Sequence, residues 1–148
     1  MQETHKDWDL HDDNLLGVQV TSPRKPKELA TIHVDLQDDA TGGMKRVTIS
    51  RCANIRWVMD FNVLADNWFA QTNAFTVVTD LKKMKSFVEG QRRHRRVKYM
   101  NPSSPDKPIK AKLASIRSFG LFQIKFFGGT LEVLAKSIKI RRVAGRAA

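Results

Sequence analysis

Between Leu81 and Met100 the chain reads LKKMKSFVEGQRRHRRVKYM, with eight lysines and arginines against one glutamate. Guanidinium groups pair with phosphate oxygens in a fork geometry, and neutralising a polyanion releases its counterions. The chemistry this stretch offers is therefore anion binding. The candidate contacts are Lys82, Lys83, Lys85, Arg92, Arg93, Arg95, Arg96 and Lys98, with Lys110 and Lys112 further along. Basic runs of this length also occur as solvated surface and as localisation signals, so the signal is real but unspecific. His94 lies between two arginine pairs and reads as a neutral hydrogen-bonding contact, not a general base.

Other residues with chemical potential are scattered. His5, His11, His33, Asp60 and His94 belong to separate elements. The chain has no phosphate-binding glycine loop, no dinucleotide turn, no H-E-x-x-H helix and no nucleophile elbow. His11-Asp12-Asp13, with His5 and Asp9 nearby, has metal-ligand chemistry in principle. Adjacent residues rarely converge on one ion, however, and the segment reads as a turn or cap before the first strand. Cys52 stands alone, which excludes an intramolecular disulfide and a cysteine-rich zinc site. No catalytic residue, metal or cofactor is expected. A small enzyme with a site assembled across strands is the weaker alternative.

The elements that position these residues follow from the alternation pattern. Leu16, Val18 and Val20 alternate with polar residues, as do Ile32, Val34 and Leu36, and then Val47 and Ile49. Asp38 to Gly43 supplies the turn that makes the second and third runs an antiparallel hairpin. Ile55, Trp57, Met59 and Phe61 share one face of a further strand and are expected in the core. Phe75 and Val77 lead to Asp80, which caps a short helix over Leu81–Glu89 whose stripe is Leu81, Met84, Phe87 and Val88. Gly90 is expected to stop it. Arg96-Val97-Lys98-Tyr99 then alternates as a strand, and Ile109, Ala111 and Leu113 as another, which would set Arg96 and Lys98 beside Lys110 and Lys112 on one sheet face. FGLFQIKFFGGTLEVLAK is a hairpin. A Gly128-Gly129 turn predicts Phe126 opposite Leu131, Ile124 opposite Val133 and Lys125 opposite Glu132. Ile138, Ile140 and Arg142 form a last strand. Trp68 and Phe69 either seal the core edge or offer a protein contact.

Length and composition agree with one domain over residues 1–148, with residues 1–13 and 144–148 expected to be flexible. Hydrophobic residues make up 41%, and glycine and proline number 8 and 5, which argues against general disorder. No apolar run is long enough to span a bilayer, and the N-terminus lacks the basic head and apolar centre of a secretory signal. Membrane insertion is not expected, and a cytoplasmic location is. The formal net charge is +11, unevenly placed: residues 1–42 carry −5 and residues 43–148 carry +16. A basic body with an acidic head predicts an anionic macromolecular partner, nucleic acid or acidic protein. The expected fold is mainly β with one short helix (α+β), an antiparallel β-sandwich or open barrel of about six to nine strands.

This order of elements resembles small bacterial β-domains, including immunity-protein-like families. The resemblance rests on HDDNLLGVQV at the first strand, on VTISRCANIRWVMDFN, and on the closing LFQIKFFGGTLEVLAKSIKI. In those families an early His-Asp leads the first strand, and a late hairpin followed by a short apolar strand closes the fold. It implies a protein-interaction role and no catalytic motif. Immunity proteins against nucleases are commonly acidic, whereas this chain is basic.

Overall fold

A computed structural model describes residues 10, 12–25, 28–60, 70–99 and 116–143, at 92 and 94–99 the backbone alone. Six strands, one long helix and a short 3-10 turn make up the described residues. The strands are β1 (Asn14–Thr21), β2 (Ala30–Gln37), β3 (Met44–Met59), β4 (Thr72–Val78), β5 (Gly120–Phe126) and β6 (Gly129–Val143). The helix α1 spans Leu81–Tyr99, and the 3-10 turn spans Ile116–Ser118. The sheet order is β1-β2-β3-β6-β5-β4, and every neighbouring pair is antiparallel.

The two edge strands meet at one end. Asn14 bridges Gln71, the Leu15 N–H donates to the Ala70 carbonyl at 2.8 Å, and the Thr72 N–H donates to the Asp13 carbonyl at 2.8 Å. The result is an open barrel. Its interior is lined by Ile32, Val34, Leu36, Val47, Ile49, Phe122, Ile124, Phe126, Leu131, Val133 and Ile140. In β2 the alternation is complete: Ile32, Val34 and Leu36 are fully buried, while His33, Asp35 and Gln37 are half-buried on the outer face. Each such aliphatic side chain contributes about 1.5–3 kcal/mol on burial.

β3 and β6 pair along their whole length, from Met44 with Val143 to Met59 with Gly129. Alternation breaks the chain into four strands here, whereas the structure has two. The cause is an irregularity centred on Arg51, at φ 56: the register with β2 shifts between Ile49 and Cys52, and the register with β6 shifts between Cys52 and Asn54. A bulge inserts one residue and reverses which parity faces inward. Inward residues of β3 change from Val47 and Ile49 to Cys52 across the first shift, and on to Ile55 and Met59 across the second; opposite the first, β6 changes from Ile138 and Ile140 to Ala135, Val133 and Leu131. In sequence, such a reversal resembles the end of a strand.

β2 stops pairing with β3 at Cys52, so among the described strands Asn54 to Met59 pairs with β6 alone. Beyond the end of β2 no described strand covers this part of β3, and Trp57, expected in the core, is 41% exposed, while Ile55 and Met59 pack partly against the core.

The β5–β6 turn is formed by Phe127 and Gly128, one residue earlier than Gly128-Gly129. Phe126 pairs with Gly129, Lys125 with Thr130, Ile124 with Leu131 and Gln123 with Glu132. The expected Lys125–Glu132 and Phe126–Leu131 pairs are not made. Moving the turn by one residue shifts each pairing by two, so Ile124, Phe126, Leu131 and Val133 stay inward. Gly129 is needed within β6, because a Cβ there would collide with the Val58 carbonyl; Gly128 takes the positive φ, at 95°.

Candidate polyanion-binding surface

Helix α1 begins as expected. The Asp80 carboxylate accepts the Lys83 N–H at 2.9 Å, satisfying one of the unpaired donors of the first turn. Met84 is buried, and Leu81, Phe87 and Val88 pack beside it against Leu121, Leu134 and Ile116. Leu121 and Leu134 are cross-strand partners on the outside of the barrel. The stripe thus clamps the helix to the outer face of β5 and β6. Lys82, Lys83 and Lys85 lie off that stripe and are exposed, as is Arg93.

The helix does not stop at Gly90 but continues to Tyr99. Gly90 is an exposed interior position with open space around it, where glycine costs about 1 kcal/mol relative to alanine. Glutamine and arginine, good helix formers, follow directly, and extending an existing helix is far easier than starting one. Arg96 to Tyr99 is therefore helical rather than strand, because four alternating residues are too few to override a nucleated helix. Arg92, Arg93, Arg95, Arg96 and Lys98 consequently share one rod with Lys82, Lys83 and Lys85. The eight cations span ~24 Å of helix axis. The expected sheet face joining Arg96 and Lys98 to Lys110 and Lys112 is not formed by the first pair. Lys110, Lys112, Trp68 and Phe69 lie outside the described residues, as do His5, Asp9 and His11.

Two more cations flank the helix seat. Arg117, on the 3-10 turn, is exposed. Lys136 Nζ lies 5.3 Å from the centre of the Phe119 ring, itself part of the apolar cluster under α1.

A different charged group lies inside one end of the barrel. Lys45 occupies an inward position of β3 and is buried with Asp13 and Asp38. Its Nζ is 2.9 Å from Asp13 Oδ2 and 3.4 Å from Asp38 Oδ2. Asp13 Oδ1 also accepts the Asp39 N–H at 3.0 Å, and Asp38 pairs with the exposed Arg142. Burial would raise the Asp38 carboxyl. The Ala40 N–H, the Arg142 guanidinium and the Lys45 ammonium together outweigh it and hold the group at about 2. This cluster ties the start of β1 to the β2–β3 turn and the end of β6. No pattern in the sequence signalled it beyond the polar turn at Asp38; Lys45 looked like any strand lysine.

The remaining chemistry-bearing groups are apart. His33 Nδ1 is 3.2 Å from Thr48 Oγ1 on the outer face. Asp60, past the end of β3, donates its N–H to the Gly128 carbonyl at 2.8 Å. Cys52 is buried, and desolvation pushes its thiol up to about 11, so it is not poised as a nucleophile near neutral pH. Among the described residues no three His, Cys, Asp or Glu groups are placed to hold a metal ion, and no helix is long and apolar enough to cross a membrane. The chain matches no protein family, no curated protein and no solved structure.

Proposed function

We propose that the chain is a non-enzymatic binding module whose helix α1 engages an anionic macromolecule, with nucleic acid as the first candidate. The observation that carries this reading is a 19-residue helix held down by its apolar stripe, with exposed cations off that stripe. Eight cations along ~24 Å is about one per 3 Å of axis, close to the ~3.4 Å between charges on one strand of duplex DNA. A linear polyanion suits that density better than a single acidic side chain does. Phosphate contacts of this kind position a partner without reading its sequence, so affinity is expected to be independent of base sequence.

The test is a salt titration of binding to generic duplex DNA and RNA. It compares the native chain with a variant carrying Lys82→Gln, Lys83→Gln, Lys85→Gln and Arg93→Gln. The native chain should bind with a steep dependence on salt. Each lost phosphate contact should flatten the log–log slope by about 0.9. The variant should stay folded, because all four side chains are exposed. Unchanged affinity and slope would remove α1 from the functional account. Binding to an acidic protein, with none to either nucleic acid, would move the partner to the other anionic class.

A further inference from the structure

The outer face of β2, β3 and β6 carries a second, differently built cationic group. Asp35 pairs across the sheet with Arg46, and Arg46 pairs with Arg141. In the adjacent row His33 pairs with Thr48, and Thr48 with Lys139. The partners along each strand, Val34, Val47, Ile138 and Ile140, face the core, which sets these six side chains on the other face. Side chains directly opposite one another are about 4.5–5.5 Å apart at Cβ, and the two rows are separated by about 6.6 Å along the strand. Arg46, Arg141, Lys139 and Thr48 thus bound an area the size of one phosphate group with its donors.

The arrangement is electrostatically unfavourable on its own. Like charges directly opposite each other destabilise a sheet, yet two arginines occupy the Arg46–Arg141 pair. Asp35 offsets only one of them. It holds Arg46 Nε at 2.7 Å and Nη2 at 3.1 Å, which fixes the guanidinium plane and leaves Nη1 available. Arg141 and Lys139 are exposed, and no carboxylate pairs with either among the described residues. A half-compensated pair of this kind is relieved by an anion, and the planar arginine fork fits a tetrahedral oxyanion in two-pronged fashion.

We propose that the outer face of β2, β3 and β6 seats a phosphate group between Arg46, Arg141 and Lys139, with the Thr48 hydroxyl beside it. The group is either free phosphate or the phosphodiester of a nucleic acid strand. The site is separate from α1 and does not depend on the helix reading.

The experiment follows the Thr48, Lys139 and Arg141 amides and the Arg46 Nε–H by two-dimensional NMR. Inorganic phosphate is titrated in one arm and a short thymidine oligonucleotide in the other. Both arms use the native chain, Arg141→Gln, Arg141→Glu and the four-site helix variant. Saturable shifts at these groups are expected in at least one arm, and that arm identifies the source of the phosphate. Arg141→Gln should weaken binding about tenfold, the loss of one charge-assisted contact. Arg141→Glu should abolish binding and raise Tm by about 2 °C, since it turns a like-charge pair into an opposite one. The helix variant should still bind inorganic phosphate. No shifts in either arm, or unaltered affinity in Arg141→Gln, would overturn the seat. A lower Tm for Arg141→Glu would overturn the repulsion on which it rests.

Discussion

Lys45 and Lys82 are the same side chain in opposite circumstances. Lys45 is buried at the end of the barrel between Asp13 and Asp38, and three charges there are nearly closed off from water. Lys82 stands exposed on α1 in a run with one acidic residue among eight basic ones. The buried group uses charge to join segments distant in sequence: β1, the β2–β3 turn and the end of β6. Its members satisfy one another and have little left to offer a ligand. The helix uses charge with little internal compensation, which adds nothing to folding and leaves the field available to a partner. In these two regions the fully paired charges hold segments together, and the charges left with too few opposite partners are the ones proposed for binding.

The largest test of that contrast is one substitution made twice. Lys45→Met removes the cation from two buried carboxylates and should cost about 3–5 kcal/mol of stability, read from the urea midpoint. Lys82→Met, on an exposed helical position, should stay within about 0.5 kcal/mol. Similar losses at the two sites would erase the distinction.

A smaller effect comes from acid. Asp38 is held at about 2 in the fold against an ordinary 3.8, so the unfolded chain binds the proton more readily. Its contribution is full above about pH 4 and is lost as pH falls toward 2. Thermal unfolding across that window should show Tm falling with pH. The dependence should shrink in Arg142→Gln, because one of the groups that lower Asp38 is gone.

Below that in size is the helix start. Asp80→Ala removes the acceptor for the Lys83 N–H and should cost about 1 kcal/mol. Hydrogen exchange at the Lys83 amide should quicken first. Because the apolar stripe is untouched, α1 should remain docked, and the polyanion binding proposed for it should be unchanged. Loss of that binding would mean the cap, and not the exposed face, organises the surface.

Much of the sheet was legible because burial leaves a period of two. Ile32-Val34-Leu36 and Ile124 with Phe126 identified their faces correctly, even where the pairing itself was off. The turn between β5 and β6 was misplaced because two adjacent glycines satisfy the local rule equally well. The second glycine belongs to β6 and not to the turn: it is there because the Val58 carbonyl, some 70 residues away in sequence, leaves no room for a Cβ. The basic run was equally plain, but its conformation was not. Gly90 and a short alternation suggested an end and a strand, and the helix ran through both.

Composition and spacing alone determined that this chain is rich in antiparallel strands, that Asp80 starts a helix with an apolar stripe, and that its positive charge is concentrated after residue 42. Those properties are local, set by side-chain period, capping chemistry and formal charge. Tertiary structure alone decided that four apparent strands are two long bent ones, because a bulge reverses facing without breaking pairing. It decided that Lys45 is buried, because its carboxylates arrive from positions 13 and 38. It also decided that Arg46, Arg141 and Lys139 are neighbours, because β3 and β6 lie side by side though their residues are almost a hundred positions apart. Cross-strand adjacency depends on which strands meet and in what register, and no local pattern in the chain encodes that.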